Sequence, residues 1–168
     1  MENRIRLLLM DFDGTLADTR EAHYLAYART LREAGIVLDR TEYDTRFFGM
    51  RCAEFRAALG LGDAAERERI RRRKIELYPE YFDLVRLNRP LWDFAQSFRA
   101  AGGRAWVVST GSRDNILGVM RRLGIEAGVD GLLAGGDVAR SKPAPDAFLL
   151  AMEREGVAPG ETLVFEDS

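Results

Sequence analysis

The sequence contains one cysteine, Cys52, and one histidine, His23. A single cysteine can form neither an internal disulfide nor a thiolate zinc cage, so a cytoplasmic location is expected. No apolar run approaches the roughly 18 residues of a membrane span, and residues 1–6 are too polar to open a signal peptide. These absences disfavour secreted, zinc-finger and membrane-spanning proteins.

The charge is nearly balanced, with 25 Lys and Arg against 27 Asp and Glu and a net charge of −2. This balance gives no electrostatic reason to expect nucleic acid or an anionic membrane as a partner, so neither is expected. The 168 residues are 46% hydrophobic, which suits one globular domain or a core with a small insert.

Four short apolar runs have the character of buried parallel strands, and helical patterns separate the later ones. The runs cover residues 5–10, 104–108, 131–134 and 162–165. Helical spacing of apolar residues is present at 115–123 and 145–155, and each of these patterns stops at a glycine. This alternation predicts an α/β fold with a doubly wound parallel sheet.

The interval between the first and second strands has only helical patterns, which predicts an all-helical insert. We expect a core of residues 1–18 and 88–168 and a helical cap of residues 19–87. Asp18 and Glu21 have capping-box spacing, which predicts the start of the first cap helix. The charged run from Glu66 to Lys74 is interpreted as a solvated helix face with i, i+4 pairs, and a substrate-facing basic patch is the alternative.

Polar residues follow each predicted strand of the core, where the carboxyl ends of parallel strands meet at one edge. Asp11 and Asp13 follow the first strand, and two such close carboxylates require a cation or a shared proton. Oxygen ligands suit Mg²⁺. The later strands are followed by Ser109 and Thr110, then Lys142, then Glu166 and Asp167. Taken singly, Asp11 and Asp13 could belong to an ordinary acidic turn, and Lys142 could be an ordinary surface lysine.

Four segments in this order resemble the motifs of the haloacid dehalogenase superfamily, in its phosphatase and β-phosphoglucomutase-like branch. They are DFDGTLADT (residues 11–19), VVSTG (107–111), SKPAPDAF (141–148) and VFEDS (164–168). The resemblance covers nearly the whole chain and includes a helical cap after the first motif. It implies a Rossmann-like core and a phosphohydrolase that acts on a small phosphorylated metabolite.

The resemblance also implies a role for each motif residue. Asp11 matches the nucleophile, which forms an aspartyl-phosphate, and Asp13 matches the general acid and base. The expected cofactor is Mg²⁺, bound by Asp11, the backbone carbonyl of Asp13 and Asp167, with Glu166 supporting these ligands.

Phosphate binding is expected from Ser109 and its neighbour Thr110 in the second motif, and from Lys142 in the third. The resemblance further implies a cis peptide bond between Lys142 and Pro143.

Two cap residues are candidates for substrate binding. His23 resembles a histidine that in related proteins contacts the general acid and base, and a helix-surface histidine is the alternative. Arg51 could hold an anionic group, but Cys52 stands where the mutase pattern has its phosphate-binding arginine. We therefore favour a hydrolase over a sugar phosphomutase. A receiver-like phospho-acceptor module is a further alternative, although a receiver would lack both the DFDG turn and the large insert.

The resemblance implies a further helix and strand after the fourth motif, whereas the sequence stops at Ser168. We therefore expect a truncated chain whose last strand is a partly uncovered sheet edge. Self-association over that edge is the alternative that would cover it.

Overall fold

The computed structural model describes residues 4–48, 55, 57–61 and 63–167. The chain divides into two compact units, one comprising Met1–Asp18 with Arg86–Ser168 and the other Thr19–Val85. The first unit therefore begins again at Arg86, two residues before the return point expected from the sequence. Among the described residues, no helix is both long enough and apolar enough to cross a membrane.

The first unit is built on a four-stranded parallel sheet. Its strands are β1 (Leu7–Met10), β4 (Arg104–Val108), β5 (Gly131–Leu133) and β6 (Thr162–Phe165), in the spatial order β5-β4-β1-β6. All four residues of β1 are buried, as expected for a strand covered on both faces. The predicted doubly wound α/β fold is confirmed, and the strand ends agree with the sequence to within two residues.

The sheet order brings the ends of β1 and β6 together. The chain leaves β1 towards β4 and β5 and later returns to β6 on the opposite side of β1. Leu7 and Met10 of β1 are in register with Thr162 and Phe165 of β6. Residues that directly follow β1 and β6 are therefore neighbours at the carboxyl edge, where such sheets bind ligands.

Three helices connect the strands of this unit: α4 (Arg89–Ala100), α5 (Arg113–Leu123) and α6 (Asp146–Glu155). The helices α5 and α6 end at Gly124 and Gly156, both in the left-handed conformation that lacks a steric penalty only for glycine. Short 3₁₀ turns occupy Glu126–Gly128 and Pro159–Glu161. One core cluster joins the sheet to α6 through buried residues that include Leu9, Val108 and Ala151.

A two-residue antiparallel ribbon lies where the chain leaves and re-enters the first unit. Strand β2 (Ala17–Asp18) pairs with β3 (Arg86–Leu87). The sequence pattern did not indicate this ribbon, because a two-residue strand is too short to show a periodicity of two.

The second unit contains only helical segments and turns among its described residues. These segments are α1 (Arg20–Glu33), α2 (Arg40–Glu42), a π-helical turn at Tyr43–Phe47, α3 (Ala64–Leu77) and a 3₁₀ segment at Tyr78–Leu84. Its core is aromatic and aliphatic, with buried residues that include Tyr27, Phe47, Phe55 and Ile70.

The capping box expected at Asp18 and Glu21 is wrong. Asp18 lies in β2, and Thr19 precedes α1 without a side-chain capping hydrogen bond. Pairing of Asp18 with Arg86 in the ribbon fixes an extended backbone at Asp18, so the residue cannot act as the helix cap.

The charged run at 66–74 forms much of α3, and most of it is a solvated face as expected. Glu68 accepts hydrogen bonds from Arg71 and Arg72 at 2.7 and 2.8 Å. Lys74 is the exception, because its exposed fraction is only 8% and it shares the buried side of α3 with Ile70 and Leu77.

Asp130 joins α4, β4 and the turn before β5. Its carboxylate accepts hydrogen bonds from Arg99 Nε at 2.8 Å, Arg104 Nη1 at 2.9 Å and Ala105 N at 2.9 Å. Burial alone would raise the pKa of Asp130, but the bonds from Arg99 and Ala105 outweigh it and lower the pKa below its ordinary value of 3.8. Its ionised form therefore stabilises the fold above about pH 4.

We expect Asp130→Asn to lower the free energy of unfolding at pH 7 by about 1–3 kcal/mol, because three donors lose a charged acceptor that is only 11% exposed. The difference from the unmodified chain should narrow as the pH falls below 4, where the carboxylate takes up a proton. Urea unfolding at pH 7 and pH 3 measures both effects, with the exposed Asp93→Asn as the control. A pH-independent difference would contradict the electrostatic explanation.

Candidate active site

The loop after β1 places a buried phenylalanine between two carboxylates. Phe12 is 1% exposed and belongs to the core, Asp11 is 7% exposed and Asp13 is less buried. Asp11 N donates to Phe165 O at 2.9 Å, which extends the pairing of β1 with β6 by one residue. The nucleophile predicted from the sequence is therefore held by the sheet itself.

Gly14 allows the fourth motif to approach this loop closely. Its φ is +88°, and a Cβ atom built on it would lie 2.2 Å from Oδ2 of Asp167. A side chain at this position would both strain the backbone and displace Asp167. The requirement for glycine thus has two causes, of which only the turn is visible from the sequence.

Lys142 is the positive charge of the site. Its Nζ donates to Asp11 Oδ1 at 2.6 Å and to Glu166 Oε2 at 2.7 Å. The side chain is 11% exposed, and the ammonium lies 5.2 Å from the centre of the Phe148 ring. The peptide bond between Lys142 and Pro143 is cis, so that prediction is confirmed.

Three carboxylates converge at the same edge. Asp11, Glu166 and Asp167 each offer an oxygen, and these three oxygens lie within 4.8 Å of one another. One lysine cannot neutralise them, and a set of hard oxygen donors with excess negative charge fits a divalent cation such as Mg²⁺. Glu166 therefore belongs to the same cluster of candidate ligands as Asp11 and Asp167, whereas the sequence predicted only a supporting role for it.

The pKa of Asp11 is raised from 3.8 to about 7, and burial is the largest cause. Lys142 lowers the pKa through its charge and hydrogen bond, while Glu166 and Asp13 raise it. In the absence of a cation and between about pH 4 and 7, the folded chain therefore holds a proton on Asp11 that the unfolded chain has already released. A cation at this cluster would favour the ionised form.

The loop after β4 lies beside Asp13. Ser109 Oγ accepts from Gly111 N at 3.0 Å and lies 3.5 Å from Asp13 Oδ2. Ser109 is buried, whereas the neighbouring Thr110 is exposed. Gly135 packs against this loop so closely that a Cβ atom on it would lie 2.3 Å from Thr110 O. The structure thus brings Ser109 to the aspartates.

In the second unit, His23 belongs to a cluster with Lys74 and Tyr78. Lys74 Nζ lies 2.6 Å from His23 Nδ1, and the His23 ring stacks on Tyr78 with 4.4 Å between centroids. The ammonium also lies 4.2 Å from the Tyr78 ring centre. Because an ammonium can only donate, Nδ1 accepts and the proton of a neutral His23 is on Nε2. His23 is therefore not an isolated surface histidine.

Sequence reasoning missed Lys74, which it placed within a solvated run. The signal that could have found it is the spacing of Ile70, Lys74 and Leu77, which lie on one helical face. Arg51, the other cap residue predicted to bind substrate, lies outside the described residues.

A family model for haloacid dehalogenase-like hydrolases matches residues 5–168. The chain belongs to this family. It is 31% identical to fructose-1-phosphate phosphatase YqaB of Escherichia coli, over 100% of this chain and 89% of that protein. It is 33% identical to the N-acetylmuramic acid 6-phosphate phosphatase of Pseudomonas aeruginosa, over 98% of this chain and 74% of that protein.

Solved structures of this hydrolase family agree with the fold. A haloacid dehalogenase-like hydrolase from Bacteroides fragilis superposes with a TM-score of 0.88 at 27% identity, over 98% of this chain and 80% of that chain. CbbY from Rhodobacter sphaeroides in complex with phosphate has a TM-score of 0.84 at 29% identity, over 98% of this chain and 78% of that chain. The family places the chain among enzymes rather than receiver modules.

For a hydrolase with this buried aspartate, we expect Asp11→Asn to stabilise the protein in EDTA at pH 8 by about 3–6 °C in Tm. The unmodified chain should lose stability as the pH rises from about 4 to 7, because the folded state binds a proton in that range and the unfolded state does not. The gain from Asp11→Asn should therefore be smaller at pH 5.

Thermal unfolding of both proteins across this pH range measures the effect, and Asp93→Asn again provides an exposed control. A lower Tm for Asp11→Asn at pH 8 would contradict the assigned cost of burying the Asp11 charge.

Proposed function

We propose that this hydrolase is a Mg²⁺-dependent phosphatase that removes phosphate from a small phosphorylated metabolite through an aspartyl-phosphate on Asp11. The observation that carries the proposal is the convergence of the Lys142 ammonium and three carboxylates on the end of β1. The names of its relatives, which include phosphatases of sugar phosphates, support this class of substrate. The proposal keeps the cytoplasmic location expected from the cysteine content.

In the first half of the reaction, Asp11 would attack the phosphorus atom of the ester. A new bond forms between a carboxylate oxygen and phosphorus while the bond from phosphorus to the ester oxygen breaks. Asp13, two residues after Asp11 and beside Ser109, would give its proton to the departing alkoxide. The products of this half are an alcohol and the aspartyl-phosphate.

In the second half, Asp13 would take a proton from a water molecule as that water attacks the phosphorus. The acyl-phosphate bond breaks, inorganic phosphate is released and the Asp11 carboxylate is restored. Ser109 and Lys142 would hold the phosphoryl oxygens in both halves, since they supply a hydroxyl and a positive charge where the transition state carries negative charge.

Asp11, Glu166, Asp167 and the backbone carbonyl of Asp13 are the groups that would hold Mg²⁺. When bound, the cation reduces the repulsion between the attacking carboxylate and the phosphate anion. The chain's own contribution is to bring these oxygens together and to set Lys142 between Asp11 and Glu166.

A sugar phosphomutase of the β-phosphoglucomutase type is the alternative within the same family. A mutase must hold a second phosphate while its intermediate reorients, and Cys52 occupies the position of the arginine expected for that task. We therefore favour hydrolysis, in which water accepts the phosphoryl group.

We expect a screen over small phosphate esters to detect phosphate release that requires Mg²⁺ and is abolished by EDTA. Asp11→Asn should show no multiple turnover, because an amide cannot replace the nucleophilic carboxylate. Colorimetric phosphate measurement with Asp11→Asn as the blank tests both statements. Turnover by that variant would refute the nucleophile, and isomerisation of a sugar phosphate without phosphate release would favour the mutase.

We expect Lys142→Ala to lower kcat/KM at least about 100-fold, the cost of removing one preorganised charged donor from the transition state. Arg140→Ala is the matched control, because it removes a positive charge from the same segment and its partner is Asp146 rather than Asp11. Steady-state kinetics on the best ester of the screen measures kcat/KM for both variants. Similar losses for both variants would show that only the net charge of the segment matters.

A further inference from the structure

The loop that carries both catalytic aspartates has a second anchor at Asn88, the residue that precedes α4. Inside the loop, Gly14 N donates to Ala17 O at 2.8 Å and Leu16 N donates to Asp11 O at 3.2 Å. These bonds fix the turn but leave the carbonyl groups of residues 15 and 16 to other donors. Both of these carbonyls accept hydrogen bonds from Asn88.

Asn88 reaches the loop with its main chain and its side chain. Asn88 N donates to Leu16 O at 2.9 Å, and Asn88 Nδ2 donates to Thr15 O at 2.9 Å. The other end of the same amide group, Oδ1, accepts from Leu91 N at 3.3 Å and so caps α4. Because the oxygen is used by the helix, only the NH₂ group can face the loop.

We propose that Asn88 is a positioning residue for Asp13, because its amide connects the DFDG loop to the start of α4. Thr15 is two residues from Asp13. To transfer its proton, the Asp13 carboxylate has to lie within a few tenths of an ångström of its productive position beside the leaving oxygen. A loop held at Thr15 and Leu16 keeps the Asp13 carboxylate beside Ser109, where it lies 3.5 Å from Oγ. Loss of the Nδ2 donor would let the loop depart from this geometry without changing any group that touches the substrate.

Two substitutions distinguish the role of Asn88 in holding the loop from its role in capping α4. Asn88→Asp keeps an acceptor for Leu91 N and replaces the loop donor by an oxygen that repels Thr15 O. Asn88→Ser adds no charge, keeps a residue type that caps helices well and is too short to reach Thr15 O. Asp130→Asn is the control, since it destabilises the same unit at the amino end of the sheet, away from the aspartates.

Because this role rests on the proposed function, the kinetic test is made on two esters with different needs for a proton. In kcat/KM, a loss of general-acid catalysis slows an alkyl phosphate much more than 4-nitrophenyl phosphate, whose leaving group departs without a proton. We expect both Asn88 variants to lower kcat/KM about tenfold or more for the best alkyl ester in the screen and less than about threefold for 4-nitrophenyl phosphate. Asp130→Asn should change kcat/KM by the same factor for both esters.

Hydrogen exchange provides a test that does not depend on activity. We expect the amides of residues 14–17 to exchange at least about tenfold faster in both Asn88 variants, with the amides of β4 unchanged. Unchanged exchange in the loop, or equal kinetic losses on the two esters, would overturn the positioning role. Absence of Mg²⁺-dependent phosphate release by the unmodified chain would instead contradict the proposed function, and the exchange result would still decide whether Asn88 holds the loop.

Discussion

The four-stranded parallel sheet is the constraint on which the site depends, because it brings Lys142 into contact with Asp11. The two residues are 131 positions apart in the sequence, yet Nζ and Oδ1 are separated by 2.6 Å. Only the parallel sheet, with β6 returned to the free side of β1, brings Lys142, Glu166 and Asp11 to one point. A buried carboxylate without this partner would carry most of the cost of leaving water.

The hydrophobic core beneath the site therefore holds the strand ends in place. Strand β1 has no exposed residue, and its backbone pairing continues directly into Asp11 through Phe165. Gly14 packs closely against Asp167 and Gly135 packs closely against Thr110, so there is no room for a side chain at either glycine. The sheet thus holds the carboxylates close together despite their repulsion, and burial, with smaller contributions from Glu166 and Asp13, raises the pKa of Asp11.

Most of this arrangement could be predicted from the sequence because it follows from local patterns. Buried parallel strands are continuous apolar runs, and the residues that follow them must meet at one edge, so Asp11, Ser109, Lys142 and Asp167 could be named in advance. Features that depend on contacts between distant parts of the chain could not be predicted from the sequence. Pairing of Asp18 with Arg86 overrode its capping preference, and Lys74 is buried beside His23 although its charge suggested a solvated position. The contacts of Asn88 could not be predicted because its partners, Thr15 and Leu16, are more than 70 positions away.

The two aspartates of the DFDG loop are chemically equivalent in the sequence and differ in the fold. Asp11 is 7% exposed, holds an ion pair with Lys142 and lies among the candidate metal ligands. Asp13 is less buried, and Ser109 Oγ lies 3.5 Å from its carboxylate oxygen Oδ2. Burial and the neighbouring ammonium shift the pKa of Asp11 in opposite directions and burial is the larger effect, so a bound cation would favour the ionised, nucleophilic form. The fold thus gives different surroundings to two identical side chains separated by one phenylalanine, which supports the different roles proposed for them.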